Sequence, residues 1–423
     1  MNFSGNSRIF ELTVLIVTAL LFVSALPASA APVQVQSETG SVFDPEASGT
    51  VNLGDASFTS GALLFNTDTA KYSTDGGVTW SAEANYGLSE SGDVELGLFV
   101  FNSLTIGGIT VTVQGNRGLA LASRGDMTFQ GTLNVNGGSG SGGTYSNPGG
   151  DCGTWSTPDL SGKGGFGAPG AEGGNLGADY ESAPPPSDAG NGGLRSSDGD
   201  GIGYGGGTEN GEYGGGGGYG GAGGSAGATG GSTYGDNILL DLYGGSGGGG
   251  ANRRNSCWWQ TWAGGGGGGG AIELVAAGNL AFSGTLNARG GYGKNNGDNR
   301  VHAGGGSGGG ILMAGTTVNF TGSISVKGGN VSAASDTDGN SGGGGRVAVY
   351  TGLYASMWNP GKWSPTNASG LSDEQLSELH GLTYSGGSVD TSCGDRPDGQ
   401  NGGAGTFYIM AVPPPTGTLI SIR

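Results

Sequence analysis

Three stretches of this chain share one pattern: glycine, three short alternating apolar segments, then a glycine pair. They are 118–138 (GLALASRGDMTFQGTLNVNGG), 264–291 (GGGGGGGAIELVAAGNLAFSGTLNARGG) and 310–329 (GILMAGTTVNFTGSISVKGG). The apolar pairs are Leu119/Leu121, Met127/Phe129 and Leu133/Val135 in the first. They are Ile272/Leu274, Leu280/Phe282 and Leu286/Ala288 in the second, and Ile311/Met313, Val318/Phe320 and Ile324/Val326 in the third. Period-two alternation puts each pair on one face of a strand. Three strands and three turns in roughly 20 residues form one unit that cannot bury its own apolar face, so copies must stack. Phe129, Phe282 and Phe320 each stand two residues before a glycine (Gly131, Gly284, Gly322). Stacking would place them in one column.

The expected fold is therefore all-β, a parallel right-handed β-helix with long glycine-rich insertions. Boundaries follow from the shifts in pattern. Residues 1–30 read as a signal peptide, 31–93 as an N-terminal β region, 94–138 as the first coils and 139–270 as a glycine-rich insertion. Residues 271–355 read as further coils, 356–384 as an insertion with a short helix near 371–381, and 385–423 as a final strand and tail.

The insertion shapes the second expectation. The chain has 101 Gly, far above globular usage, and about half of them lie between 138 and 270. Apart from Ile238-Leu239-Leu240 that segment has almost no aliphatic run. It cannot bury enough apolar area to offset its backbone entropy. A sheaf of extended polyglycine strands would be the alternative. The irregular glycine spacing favours a flexible lobe.

Residues 12–26 form an apolar run of signal length, followed by Ala28-Ser29-Ala30 as a cleavage site. The mature chain would begin at Ala31, be secreted or sit at the cell surface, and contain no membrane span. Cys152, Cys257 and Cys393 make an odd count. A Cys152–Cys257 disulfide is one reading, and the odd count leaves at least one thiol free or paired between chains. The formal net charge of −18 argues against nucleic acid, because phosphate binding needs clustered Lys or Arg.

Motifs that could carry chemistry are few. Ser73-x-Asp75-x-Gly77-x-Thr79-Trp80 matches the Asp box of sialidases and other propellers. It occurs once here, so Ser73, Asp75, Gly77 and Trp80 are read as a structural hairpin. Arg253, Arg254, Trp258, Trp259 and Trp262 fall within ten residues; they are candidates for ligand contact, since Trp and Arg stack on and anchor partners. Asp336-x-Asp338-x-Asn340 has the oxygen spacing of a calcium loop. Ser341 replaces the glycine and Val347 the bidentate Glu, so a solvated polar turn is the reading set beside calcium. No other cofactor is expected. His302 and His380 are the two histidines, and neither stands near a nucleophile elbow. Glu273, Arg289 and Lys327 are scattered charges at outward strand positions.

The three stretches resemble glycine-rich β-helix surface proteins of bacteria, in the style of autotransporter passenger domains. Gly269-Gly270-Ala271-Ile272 is similar to the GGA[ILV] element of chlamydial polymorphic outer-membrane proteins. Their companion F-x-x-N differs here, with Thr132, Thr285 and Ser323 in its last place. The resemblance implies a parallel right-handed β-helix and a surface or adhesive role, and transfers no catalytic residue. The expected function is a secreted or cell-surface structural or adhesion protein that is not an enzyme, with extracellular polysaccharide or a surface component as partner. The alternative is a carbohydrate-binding or polysaccharide-degrading protein on the same fold.

Overall fold

The alternating segments are strands, and they pair in parallel across large sequence separations. The computed structural model describes residues 33–36, 43–47, 49–89, 94–140, 142–146, 209–210, 213–225, 228–256, 259–296, 301–331, 339–352, 365–396 and 401–411. The chain divides into Met1–Pro32 and Val33–Arg423, and all of the described residues lie in the second unit. The expected signal peptide, Cys152, Cys257, Trp258, Asp336 and Asp338 lie outside them. The described chain is all-β, with one short helix.

Three parallel ladders carry the core. The first joins Glu95–Phe101, Gly118–Ser123, the first halves of Ala271–Phe282 and Gly310–Phe320, Arg346–Thr351 and Thr406–Ala411. The second joins Asp55–Phe58, Ser103–Ile106, Met127–Phe129, the ends of the two long strands, and Leu382–Tyr384. The third joins Leu63–Asn66, Thr110–Gln114, Thr132–Asn134, Thr285–Asn287, Ser323–Ser325 and Ser388–Asp390. Antiparallel neighbours are added at the margins. Asn85–Leu88 pairs with Glu95–Phe101, Lys71–Ser73 with Leu63–Asn66, and Pro365–Asn367 with Thr406–Ala411.

Register places like on like. Phe99, Leu121, Leu274, Met313, Val349 and Ile409 share a column of the first ladder. Phe58, Ile106, Phe129, Phe282, Phe320 and Tyr384 share one in the second. In that column Phe282 lies 6.0 Å from Phe129 and 5.1 Å from Phe320, ring centre to ring centre, and Tyr384 stacks on Phe320 at 5.0 Å. All of these side chains belong to one buried cluster, and each contributes about 1.5–3 kcal/mol by leaving water. The rungs 118–134 and 271–287 are direct neighbours, Leu119 against Ile272 and Leu133 against Leu286.

The outer face of the first ladder is also buried. Leu96, Leu98, Val100, Ala120, Ala122, Leu312, Ala314, Ala348 and Met410 lie under Phe43, Tyr219, Leu239 and Leu242. Its strands therefore read as continuous apolar runs with a period-two signal weakened by burial on both sides.

The glycine-rich segments differ from the flexible lobe expected of them. The described parts 213–218, 222–225, 228–233, 244–250 and 263–270 are packed with 288–294, 303–309, 326–331 and 340–345 as extended chains, while 234–243 turns back through Asp236, which accepts from Ile238 and Leu240 N–H. Along 303–309 the N–H groups point in turn to three different neighbours. Gly304 donates to Gly249 O, Gly305 to Asn340 O and Gly306 to Gly291 O; Ser307 then returns to Ser246 O, Gly308 to Gly343 O and Gly309 to Ala288 O, at 2.7–3.0 Å. A direction that recurs every third residue, without internal bonds, is the geometry of a three-residue-per-turn polyglycine helix. Every backbone group must find a partner once water is excluded, and here the neighbouring segments supply it. At many glycine positions the packing leaves no room for a side chain: a Cβ on Gly306 would coincide with the carbonyl of Gly267, and one on Gly342 with that of Gly306. The long consecutive runs explain why spacing mattered so little. A run of glycine meets the close contact at whichever residue faces it.

The helix expected near 371–381 is Asp373–Ser377, opened by a capping box in which Ser372 and Gln375 bond each other's backbone. It stops at Glu378 because the chain must reach Leu382, the first residue of its next strand.

Candidate functional site

Alternation that sends Phe129, Phe282 and Phe320 inward sends their neighbours out. Where the second ladder turns into the third, three outward columns run side by side. They are Thr128, Ala281, Asn319 and Thr383; Gln130, Ser283, Thr321 and Ser385; and Thr132, Thr285, Ser323 and Ser388. The middle column sits at the corner, where Ser283 N–H donates to Phe129 O, Thr321 N–H to Phe282 O and Ser385 N–H to Phe320 O. Every one of these residues is exposed or half-buried, and none is charged. The chain as a whole is 12% charged, so about one or two charged residues would be ordinary among twelve. Rungs follow one another at about 4.7–4.9 Å. The result is a rigid lattice of hydroxyl and amide groups.

Cross-rung side-chain bonds fasten the third column and the columns that flank this surface. Thr285 Oγ1 and Ser323 Oγ are 3.2 Å apart, Asn287 Nδ2 donates to Asn134 Oδ1 at 2.7 Å, and Thr317 Oγ1 donates to Asn279 Oδ1 at 2.8 Å. Charge appears at the border, where the Asp126 and Asp373 carboxylates accept the N–H groups of Asn279 and Gly386 at 2.8 and 2.9 Å and two cations are paired. Arg289 Nε donates to Ser325 Oγ at 2.8 Å and approaches Asp390 at 3.8 Å, while Lys327 meets Asp395 at 2.5 Å.

The Asp-box residues make a tight turn. Ser73 Oγ donates to Asp75 Oδ1 at 2.7 Å and accepts from Gly77 N–H at 2.8 Å; Asp75 Oδ1 accepts from Val78 and Thr79 N–H at 3.0 and 2.9 Å. The Thr79 hydroxyl on Oδ2, then the Thr79 N–H and the Ser73 hydroxyl, hold the Asp75 carboxyl well below its ordinary value. Gly76 and Gly77 have φ of +75° and +97°, where a side chain would be strained. No strand follows the turn directly; it closes through Ser81 N–H on Tyr72 O. Trp80 is 40% exposed.

Arg253, Arg254, Trp259 and Trp262 fall on two antiparallel strands, Ala251–Ser256 and Trp259–Ala263. Arg253 is opposite Thr261, Arg254 opposite Gln260 and Asn252 opposite Trp262. The second strand also pairs with Gly142–Ser146, where Trp262 faces Gly143. Asn340 is buried among the glycine segments: its Nδ2 donates to Gly214 O and its carbonyl accepts from Gly305 N–H, both at 2.8 Å. A solvated turn does not describe it. Cys393 carries a free, half-buried thiol that burial pushes up.

Several buried polar groups went unmarked in the pattern. The guanidinium of Arg346 bonds Asn237 Oδ1 and the carbonyls of Tyr234 (2.8 Å) and Tyr219 (3.4 Å), with its plane 5.4 Å from the Tyr219 ring. It ties the glycine segments to the first ladder. Its position directly after Gly342–Gly345 was the available signal. His302 is buried and stacked on Tyr213 at 6.1 Å, with neither ring nitrogen bonded among the described residues. Glu273, outward on its strand, is fully buried instead of solvated, because the segment 43–47 covers it.

No family model, curated protein or solved structure matches the chain. Among the described residues, no helix is long and apolar enough to cross a membrane.

Proposed function

We propose that this chain is a secreted or cell-surface structural and adhesion protein without catalytic activity. In this reading the three ladders wind as a right-handed parallel β-helix, and the glycine segments are excursions between the third strand of one coil and the first strand of the next. The observation that carries the reading is the charge-free lattice at the corner between the second and third ladders. An acidic chain that keeps one face neutral and rigid is suited to a long, uncharged, repetitive partner. Extracellular polysaccharide has that chemistry, with hydroxyls recurring along one axis. Hydroxyl and amide columns can trade their water for sugar hydroxyls at little electrostatic cost, and many weak contacts sum along the stack.

The experiment is retention of the purified protein on insoluble neutral polysaccharides, compared with Thr321→Lys and Thr285→Lys. These sites are on the surface, so fold and stability should change little, as circular dichroism would show. Retention should fall at least tenfold in each variant. Equal retention of both variants sinks the neutral-face reading.

A second reading, a carbohydrate-binding or polysaccharide-degrading protein, draws on the same hydroxyl columns and on the Trp259 and Trp262 strand. It predicts new reducing ends when the protein is incubated with the polymer it retains. Calcium stabilisation predicts a lower melting temperature in chelator.

A further inference from the structure

Beneath the segment 43–47 lies a carboxylic acid with no cation bonded to it among the described residues. Glu273 is fully buried on the outer face of the first ladder, between Ala120 and Leu312 on the flanking rungs. Its Oε1 accepts from Phe43 N–H at 3.0 Å, and its Oε2 has no partner among the described residues. Phe43 is 2% exposed, and its ring fills the space that a side chain on Gly87 would need. The other end of the segment is tied separately: Arg124 Nε donates to Pro45 O at 3.0 Å and Arg124 Nη2 to Thr50 Oγ1 at 2.8 Å.

We propose that Glu273 is a proton-operated latch: as the neutral acid it holds the strap 43–47 over the first ladder, and loss of its proton lifts the Phe43 end of that strap. A neutral carboxyl with one unpaired oxygen is tolerable in an apolar site, whereas an unpaired carboxylate is not. Lifting the strap would let water reach the charge and uncover Leu96, Leu98 and Ala120. The Arg124 bonds would remain as the hinge.

The surrounding charges do not offset this. Asp44 and Glu46 on the strap are acidic. Arg124 is occupied by Pro45 and Thr50, Glu95 on the ladder is paired with Arg117, and Arg346 bonds Asn237 and backbone carbonyls. Asp236 and Asp241 on the glycine segments are acidic, and the Tyr350 hydroxyl on the ladder donates to Ile238 O. Burial accordingly raises the Glu273 acid well above its ordinary value, and the Phe43 N–H offsets part of that. A group raised in the closed state favours closure most in acid. That contribution declines as pH climbs from the ordinary carboxylate value toward the raised one.

Hydrogen exchange of residues 43–47, normalised at each pH to an unstructured peptide, reads the open fraction. Closure that holds one extra proton should give an open-to-closed ratio rising up to about tenfold per pH unit above the carboxylate range. Glu273→Gln should hold the strap closed with no pH dependence. Phe43→Ala should leave it open at every pH. A wild-type ratio that stays flat, or a Glu273→Gln profile with the wild-type slope, overturns the latch. If Glu273→Gln does not fold, the infrared difference of wild type minus Phe43→Ala, followed across pH, decides the matter: a protonated-acid carbonyl band that persists above the ordinary carboxylate range supports the proposal, and its loss within that range overturns it.

Discussion

At the scale of single residues, two kinds of glycine must be told apart. Gly306 faces the backbone of Gly267, while nothing lies within 4 Å of a Cβ added to Gly108. Gly306→Ala should therefore destabilise by about 3 kcal/mol, the upper range of overpacking, and Gly108→Ala should leave the denaturation midpoint unchanged. Arg346→Ala removes a buried donor from the Tyr234 and Tyr219 carbonyls and should cost about 3 kcal/mol, read by the same denaturant titration. Asp75 offers an acid-side test. Its carboxyl is depressed by Thr79 and Ser73, so its hold on the turn is present above the ordinary carboxylate value and is lost as pH falls below it. Carbon NMR should find this carboxyl still ionised at a pH that neutralises aspartate in an unstructured peptide.

At the scale of elements, alternation was the legible part. The second- and third-ladder pairs, from Met127/Phe129 to Ile324/Val326, carry a period that a half-buried strand requires, and their inward positions were readable because polar or small residues separate them. The outer face of the first ladder was not. Glu273 reads as a solvated charge from its own strand, since the strap that buries it lies 230 residues away in sequence. The glycine segments were illegible for another reason. Low apolar content argues against a hydrophobic core, yet these chains are held by backbone hydrogen bonds to three neighbours, and that leaves no compositional trace beyond glycine itself. The ring column gives the prediction proper to this scale. Phe282→Ala leaves a void between Phe129 and Phe320 and should cost about 3–5 kcal/mol. Tyr384→Ala, at the end of the column and 7% exposed, should cost less in the same unfolding experiment.

At the scale of the whole molecule, the candidate face depends on both systems at once. Its hydroxyls keep their spacing because the ladders fix the rungs, and the glycine segments pack chains from between those rungs against one another. The chemistry of that face was partly legible: Thr132, Thr285 and Ser323 occupy equivalent positions in the three stretches. Its extent was not, because Thr383, Ser385 and Ser388 belong to a rung with no glycine-run signature. The same architecture bears on how the chain acquires its structure. Rungs 118–134 and 271–287 must meet across the longest excursion, 135–270, whereas the next pair is separated only by 288–309. Closing a loop about six times longer adds about 1.6 kcal/mol of chain entropy, a modest equilibrium term. Its kinetic meaning is larger. A chain synthesised from its N-terminus must hold the apolar edge of Leu119, Phe129 and Leu133 exposed until residue 271 has emerged. Folding should be slow, and shortening the excursion should quicken it in stopped-flow refolding.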